Sequence, residues 1–353
     1  MPPLPHPLGM LPEEIAAHLR SGGVAVRDDE ARRILSYRAV PKGREHARRR
    51  PLGKRLDAAV AERFDDARLE VVERAEDPAD RFVKYLFRSP DGALHEAVRI
   101  PLLKKDCFTV CLSSQVGCAM ACTFCATGRL GLQRNLESWE IVAAFLRVRD
   151  EAPGRVTGAV FMGQGEPFHN YDRVIRAAEV LSHPCGGQVA ATSITVSTVG
   201  LVPQIRRYTR ERHPYRLIVS LTSAIEEKRA GFLPVASRWS LEELADAIRD
   251  HAAGAKGLMT VAWVLMGGVN DGPEEAEALQ RLLGDVKLRV NLIDINDARP
   301  DGLRRATDEE RIAFVRHLQV LRAPVVRRYS GGVNRHAACG MLAATRWEGT
   351  AEA

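Results

Sequence analysis

Short runs of β-branched residues alternate with amphipathic stretches along the chain from about residue 108 onward. The runs predict strands at 108–112, 157–161, 194–197, 216–221, 258–265, 288–293 and 323–329. Helices are expected to begin at about Glu137, Asp172, Ser240, Glu274 and Asp308, with a capping box between Ser240 and Glu243. Because strands that alternate with helices in this way pair in parallel, the pattern predicts an α/β fold. About six strand–helix units before a last strand indicate a partial, open (β/α)6 barrel with its site at the carboxyl ends of the strands.

The first 105 residues have a different pattern. Pro12-Glu13-Glu14 precedes an apolar series that predicts an early helix, and alternating residues at 81–87 and 95–101 predict strands. We therefore expect residues 1–105 to form a small, α-rich accessory domain. Residues 106–345 would then be the catalytic core, and 346–353 a tail.

Basic residues are concentrated in one part of this first region. The chain has a net charge of +6, and residues 32–55 contain ten Lys or Arg but a single acidic residue, Glu45. The segment includes the run Arg48-Arg49-Arg50. Such a segment can neutralise the phosphates of a nucleic acid, or it can be an ordinary solvated surface. Charge alone favours neither interpretation.

The composition is that of a soluble globular protein, with 45% hydrophobic and 27% charged residues in a chain of 353. It contains neither an apolar run long enough to cross a bilayer nor the pattern of a signal peptide. We therefore expect a cytoplasmic protein without a membrane partner, and a monomer. Seven cysteines, an odd number, indicate metal binding or catalysis rather than a disulfide framework.

Three of these cysteines form a Cys-x3-Cys-x2-Cys motif at Cys118, Cys122 and Cys125. Electron-transfer 4Fe–4S clusters are held by four cysteines, so a three-cysteine loop predicts a cluster with one iron open to substrate. The loop resembles that of the radical S-adenosylmethionine (SAM) enzymes, which use the open iron in this way. The alternatives are chance clustering of buried thiols and a zinc site. Zinc normally needs four ligands, and the chain has no second Cys pair or His-x3-His.

Further motifs follow in a characteristic order along the chain. They are ExVRIP from Glu96, CLSSQVGCAMACTFCATG, RNLESWEIV, MGQGEP, ITVSTVGLVP, IVSL, GGVNDG, VNLI and AACGML. In order and spacing, residues 96–342 resemble the RlmN/Cfr type of radical SAM RNA methyltransferases. The resemblance implies a radical SAM barrel, one 4Fe–4S cluster, two molecules of SAM per turnover, RNA as substrate and an electron donor such as flavodoxin or ferredoxin.

The resemblance also implies roles for three residues outside the cluster loop. Cys339 matches the family's methyl carrier, which forms an S-methylcysteine, and Cys111 matches the cysteine that then forms a transient disulfide with it. Glu96 matches the base that accepts the ring proton of adenine. Taken alone, Cys111 on a strand is more typical of a buried small hydrophobic residue. Cys107 and Cys185 match no family position and are expected to be structural.

The cofactor pocket is predicted from the ends of several strands. Glycines in FMGQGEP let the backbone approach a ligand closely, and Glu166 could meet an ammonium group. By the resemblance, the residues that contact SAM are Gly165, Glu166, Ser197, Ser220, Leu221, Thr222 and Asn296. Where the family has Ser-Leu-His, this chain has Ser220-Leu221-Thr222.

Other departures from the family lie near the expected substrate. The family's Pro-aromatic-Asn-Pro is replaced by Asp294-Ile295-Asn296-Asp297, and an Arg-Gly followed by acidic residues is replaced at 331–336. Two other functions therefore remain as alternatives: the same chemistry on a small molecule or peptide, and a non-catalytic Fe–S or zinc RNA-binding protein. The sequence does not choose between carbon 2 and carbon 8 of adenine, or between ribosomal and transfer RNA.

Overall fold

The computed structural model describes residues 4–39, 51–255, 257–296 and 303–343. The basic run at 48–50, Asp297 and the expected tail at 346–353 lie outside these residues. Two groups of strands can be distinguished. The strands before the cysteine motif are β1 (Glu70–Glu76), β2 (Val83–Arg88), β3 (Leu94–Pro101) and β4 (Cys107–Leu112). The later strands are β5 (Gln115–Gly117), β6 (Leu132–Asn135), β7 (Arg155–Phe161), β8 (Ile194–Thr198), β9 (Arg216–Ser220), β10 (Met259–Leu265), β11 (Leu288–Asp294) and β12 (Val325–Arg328).

Most of these strands belong to one sheet. Across the described residues it has ten strands in the order β1-β2-β3-β4-β7-β8-β9-β10-β11-β12, and β5 and β6 form a separate hairpin. Pairing is parallel from β4 through β12. In the same part of the chain, β12 pairs only with β11, so the barrel is open. This confirms the partial barrel predicted from the sequence.

Helices connect the parallel strands and cover the sheet. The first three precede the sheet: α1 (Pro12–Ser21), α2 (Asp28–Ala39) and α3 (Lys54–Arg63). The others are α4 (Ala126–Arg129), α5 (Ser138–Asp150), α6 (Tyr171–Ser182), α7 (Val202–Glu211), α8 (Glu226–Phe232), α9 (Leu241–Gly254), α10 (Pro273–Leu283) and α11 (Asp308–His317). The predicted capping box is present at the start of α9, where Glu243 N–H donates to Ser240 Oγ at 3.1 Å.

The region before residue 105 shares its sheet with the barrel. Strands β1 to β4 pair in antiparallel fashion, and Ala97 of β3 lies opposite Leu112 of β4. Side chains of the first helices, such as Ile15 and Leu35, are buried in the same hydrophobic core as Phe145 of α5. The edge of the barrel next to the cysteine motif is therefore covered by residues 70–101, and the expected boundary at 105 stays a prediction.

Of the helices described, none is both long enough and apolar enough to cross a membrane.

Candidate active site

One cavity opens at the carboxyl ends of the parallel strands, where the sequence predicts the site. Of the seven cysteines, all of which lie within the described residues as free thiols, five line this cavity: Cys111, Cys118, Cys122, Cys125 and Cys339. Cys107 and Cys185 do not contribute to its wall. Cysteines that are up to 228 positions apart in sequence (339 − 111) are thus brought to one place by the fold.

The cluster loop is held by main-chain hydrogen bonds. Cys118 N–H donates to the carbonyl of Gly131 at 2.8 Å, and Cys125 N–H donates to the carbonyl of Cys122 at 3.2 Å. Gly117 has φ +76°, and a Cβ there would overlap the carbonyl oxygen of Gly131. The strand before the motif therefore approaches the segment after it more closely than a larger residue would allow.

The three thiols of the loop fit an iron–sulfur cluster by their chemistry. Burial raises the pKa of Cys118 to about 12 and that of Cys122 well above 9, and Cys125 raises both further. Met120 N–H donates to Sγ of Cys118 at 3.5 Å, which favours the thiolate. Among the described residues, no three Cys, His, Asp or Glu side chains form the tight group that one metal ion needs. A cluster does not require that group, because each thiolate binds a different iron.

The segment that carries Cys339 is docked on the cluster loop. Ala126 N–H donates to the carbonyl of Gly340 at 2.7 Å, and Thr127 Oγ1 donates to the carbonyl of Leu342 at 2.6 Å. On the other side, Asn296 Nδ2 donates to the carbonyl of Cys339 at 3.1 Å. These bonds place the predicted carrier cysteine against the three cluster cysteines.

Cys339 and Cys111 both line this cavity, and the charge of one thiolate affects the pKa of the other cysteine. Burial raises the pKa of Cys111 to about 12, and Cys339 raises it further. Cys339 is accessible at the cavity wall, yet the protein atoms around its thiol raise its pKa to about 11, with Cys125 acting in the same direction. Arg328 lowers the pKa of both thiols. Arg328 is the last residue of β12 and gave no signal in the sequence, and its positive charge favours the thiolate form of both cysteines.

Gly165-Glu166-Pro167, called the GEP segment below, lines the same cavity as the cluster loop. Gly165 has φ +95°, and a Cβ there would lie 2.6 Å from the side chain of Gln115. The two carboxylate oxygens of Glu166 accept from Phe168 N–H and Val199 N–H, each at 2.9 Å. Burial raises the pKa of Glu166 to about 7, against those hydrogen bonds. Glu166 therefore joins the ends of two strands, and it also lines the cavity.

Gln115 supports the candidate site from behind the cavity, and sequence reasoning gave it no role. Its side chain is fully buried, and Oε1 accepts from Glu166 N–H at 2.8 Å. Its Nε2 donates to Oδ1 of Asn135 at 2.7 Å. The amide therefore ties the cluster loop to the GEP segment. Its position in the SSQVGC motif was the signal that could have found it.

The other predicted cofactor contacts divide into two groups. Ser197, Ser220 and Asn296 line the cavity, and Oδ1 of Asn296 is buried there without a partner among the described residues. Leu221 and Thr222 do not line it. Their N–H groups donate to the carbonyl of Ala262, at 2.9 and 3.3 Å. An unpaired amide oxygen on the cavity wall fits a ligand with N–H donors, such as the ammonium or adenine group of SAM.

Glu96 lies behind the cavity wall, in a buried ion pair. Its carboxylate is fully buried and lies 3.1 Å from Nζ of Lys84, which is 2% exposed. The residue opposite Lys84 in the sheet is Val98, which lies on the same face of β3 as Glu96 and packs in one apolar cluster with Cys111. The sequence pattern did not reveal the lysine partner.

The segment at 331–336 departs from the family, and the structure gives a physical reason for its glycines. A Cβ at Gly331 would overlap the Asp80 carboxylate and the ring of Phe82. Gly332 has φ +75°, and its N–H donates to Oδ2 of Asp80 at 2.6 Å. The two glycines therefore let the chain run closely along the β1–β2 connection before it reaches Cys339.

Comparison with known proteins agrees with this geometry. Residues 112–283 match the radical SAM superfamily. A probable RNA methyltransferase of Myxococcus xanthus is 48% identical over 95% of this chain and 88% of its own length. The dual-specificity RNA methyltransferase RlmN of Syntrophobacter fumaroxidans is 41% identical over 77% of this chain and 79% of its own length. A crystal structure of a radical SAM methyltransferase from Sphaerobacter thermophilus superposes with a TM-score of 0.87 at 36% identity, over 97% of this chain and all of the other.

Sequence identities of 36% to 48% over most of the chain indicate membership of the same family and not only a shared fold. The residues that match the radical SAM superfamily include the cluster loop and Gly165-Glu166-Pro167. The chain is an enzyme of the radical SAM methyltransferase class, and it belongs to the RlmN-type family of radical SAM RNA methyltransferases.

Proposed function

We propose that this enzyme methylates a ring carbon of an adenosine in ribosomal or transfer RNA, with Cys339 as carrier of the methyl group and two molecules of SAM used per turnover. The observation that carries the proposal is the cavity itself. The three cluster cysteines line it together with Cys339 and Cys111. A protein that only bound RNA would need neither Cys339 nor Cys111.

The first step belongs to Cys339. Ring carbons of adenine are electrophilic, so the methyl of SAM does not alkylate them directly, whereas a thiolate is a good nucleophile. Sγ of Cys339 bonds to the methyl carbon of one SAM as the carbon–sulfur bond of that SAM breaks. Arg328, which lowers the pKa of the thiol, favours this attack.

The cluster is needed for the second half of the reaction. A bound 4Fe–4S cluster with SAM at its open iron would supply the 5′-deoxyadenosyl radical that activates the methyl on Cys339, with the electron coming from a donor such as flavodoxin or ferredoxin. Cys118, Cys122 and Cys125 would hold it, and Asn296, Ser197 and Ser220 would line the space for SAM.

Cys111 and Glu96 complete the turnover once the carried carbon is bonded to the adenine ring. Sγ of Cys111 attacks Sγ of Cys339, so a disulfide forms as the bond from Cys339 to the carbon breaks. The released carbon takes up a proton and becomes the methyl group, and the unpaired electron that radical addition leaves on the ring would be taken up by a bound cluster. A cellular thiol reductant later reopens the disulfide. Glu96 accepts the ring proton. Two observations support this role for Glu96. The Lys84 ammonium lies 3.1 Å from its carboxylate and favours the ionised form. Glu96 also lies on the face of β3 that packs towards Cys111.

RNA is proposed as substrate on two grounds. Two relatives that match 95% and 77% of this chain are named RNA methyltransferases. The concentration of positive charge at 32–55 suits a phosphate backbone, although the run at 48–50 lies outside the described residues.

The two outer cysteines provide the test. The reconstituted enzyme is incubated with SAM, a reductant and total RNA from a strain that lacks it, and nucleosides are analysed by mass spectrometry. Cys339→Ala should abolish methylation. Cys111→Ala should stop after bond formation and leave a covalent protein–RNA adduct, because no thiol is available to release it.

Cys107→Ala is the matched control, since Cys107 lies on the same strand as Cys111 but outside the cavity wall. It should methylate RNA at close to the normal rate. Normal methylation by Cys339→Ala would contradict the carrier role. Absence of any methylated adenosine with the unchanged enzyme would contradict the proposed substrate.

A further inference from the structure

The rim of the cavity carries an exposed aromatic ring. Tyr329, which follows β12 directly, is 73% exposed and belongs to the cavity wall. Its hydroxyl donates to Oδ2 of Asp80 at 3.3 Å, and its ring meets the edge of Phe82 with 6.0 Å between centroids. The ring is therefore held at one edge while most of it stays in contact with solvent.

Next to this ring lies an unusual group of charges. Asp294, at the end of β11, has a side chain that is 3% exposed and lines the cavity. Its Oδ2 accepts from Arg305 Nη2 at 2.5 Å and from Arg327 Nη2 at 2.9 Å. Burial disfavours the carboxylate of Asp294, but the hydrogen bonds from the two arginines outweigh it, and its pKa is lowered.

The two arginines are oriented but not neutralised. Their side chains are 48% and 46% exposed, and one carboxylate balances only one of the two charges. A guanidinium has five N–H donors. Among the described residues, Asp294 is the only hydrogen-bond acceptor in contact with either side chain, so most of their N–H groups have no acceptor in that part of the chain. Arg328 adds a further cation at the cavity wall.

An exposed aromatic ring beside pre-oriented cations matches the chemistry of single-stranded RNA. A nucleobase stacks on an aromatic face, and a guanidinium donates two parallel hydrogen bonds to a phosphate. A peptide would not need both features side by side. The target adenosine must also leave its base stack to reach Cys339, so its neighbours need a seat outside the cavity.

We propose that this rim, defined as Tyr329 with Arg305 and Arg327 on Asp294, seats the RNA next to the target adenosine. Tyr329 stacks on a neighbouring base, and the two arginines hold a flanking phosphate. The inference rests on the proposed function and adds the residues that recognise its substrate. It also gives a role to Asp294, which stands where the family has proline.

Binding measurements test the rim directly. The probe is a fluorescein-labelled single-stranded RNA of about 12 nucleotides, titrated at low salt and followed by fluorescence anisotropy. Tyr329→Ala should weaken binding roughly tenfold, the scale of one base–aromatic stack. Tyr329→Phe keeps the ring and should bind almost as the unchanged enzyme does. Arg281→Gln measures how much RNA affinity depends on a single positive charge away from the rim, because Arg281 is 72% exposed on the outer helix α10.

Asp294→Asn is the sharper test, because nonspecific attraction and orientation of the arginines predict opposite changes in RNA affinity. The change makes the protein more positive by one charge, so nonspecific attraction would tighten RNA binding. If Asp294 orients the arginines, binding should weaken severalfold instead. Thermal unfolding of each variant checks that it is folded.

The outcomes distinguish failure of the rim from failure of the proposed RNA substrate. Unchanged affinity in Tyr329→Ala, or tighter binding in Asp294→Asn, would overturn the role of the rim while RNA remained the substrate. If the unchanged enzyme did not bind the probe at low salt, the proposed RNA substrate would fail, and the rim with it.

Discussion

The two sides of the cavity are held in place by different kinds of bond. The cluster loop is fixed mainly by main-chain hydrogen bonds, such as those from Cys118 to Gly131 and from Ala126 to Gly340. The rim around Tyr329 is fixed mainly by side-chain carboxylates, Asp80 and Asp294. The first side keeps all three cluster cysteines, whereas the second contains most of the departures from the family.

This difference separates the part of the cavity that keeps the family's residues from the part that departs from them. Main-chain bonds do not depend on side-chain identity, so the cluster loop keeps its shape under many substitutions. Side-chain bonds at the rim can be exchanged one residue at a time. Asp294, Gly331 and Tyr329 all line the cavity, so substitutions at these positions alter its wall.

The largest effect should come from the cluster side. Replacing Cys118, Cys122 and Cys125 together by Ala should remove the bound iron and sulfide and abolish methylation, because no protein thiolate is left to hold the cluster. Iron and sulfide analysis after anaerobic reconstitution measures this. Cys185→Ala, outside the cavity, should retain a full cluster; a full cluster in the triple variant would contradict the assignment.

A smaller effect, on the pH dependence of methyl transfer, should appear at Cys339, which lines the cavity together with the cluster loop and Tyr329 of the rim. In the proposed mechanism, methyl transfer to Cys339 uses the thiolate, and the pKa of this thiol is raised to about 11. The thiolate fraction therefore increases about tenfold for each pH unit below that value, and methylation of Cys339 should accelerate from pH 7 to pH 10. Arg328→Gln removes a cation that lowers this pKa, so the reaction at any pH in that range should slow roughly three- to tenfold.

Intact-protein mass after incubation with SAM, without RNA, measures this transfer. Arg281→Gln is again the charge-matched control and should follow the curve of the unchanged enzyme. A rate that does not vary with pH would show that thiolate formation does not limit the step.

The smallest effect should come from the packing of the rim. Gly331→Ala places a methyl group against Asp80 and Phe82, and it should lower the free energy of unfolding by ~1–3 kcal/mol. Gly231→Ala is the control, since nothing lies within 4 Å of a Cβ there. That change, in helix α8, should be neutral or stabilising by up to ~1 kcal/mol. Urea denaturation compares the two, and equal stabilities would show that the rim is loosely packed.

The sequence predicted those parts of the fold that local patterns determine. Strand β8 was expected at 194–197 and spans Ile194–Thr198, and the helix expected from Ser240 begins at Leu241 with its capping box. Alternation of apolar residues and capping chemistry depend on neighbours in the chain, so both can be read from it. The cysteine spacing likewise indicated the cluster loop.

Contacts between distant residues could not be predicted in this way. Lys84 pairs with Glu96, and Asp294 pairs with Arg327, because sheet register and a strand end bring them together. Glu166 was expected to face a ligand, whereas its carboxylate also joins two backbone segments. The transient disulfide and the role of the basic run at 48–50 remain predictions.

The hydrogen bonds between β3 and β4 determine how this protein can be divided. A fragment that began at the catalytic strands would expose the edge of β4 beside the cysteine loop, and an open edge pairs readily with other chains. The strands from Glu70 to Pro101 therefore cover this edge of the catalytic strands. Exchange of modules between relatives would have to cut the chain before Glu70, where helices rather than strands meet the core.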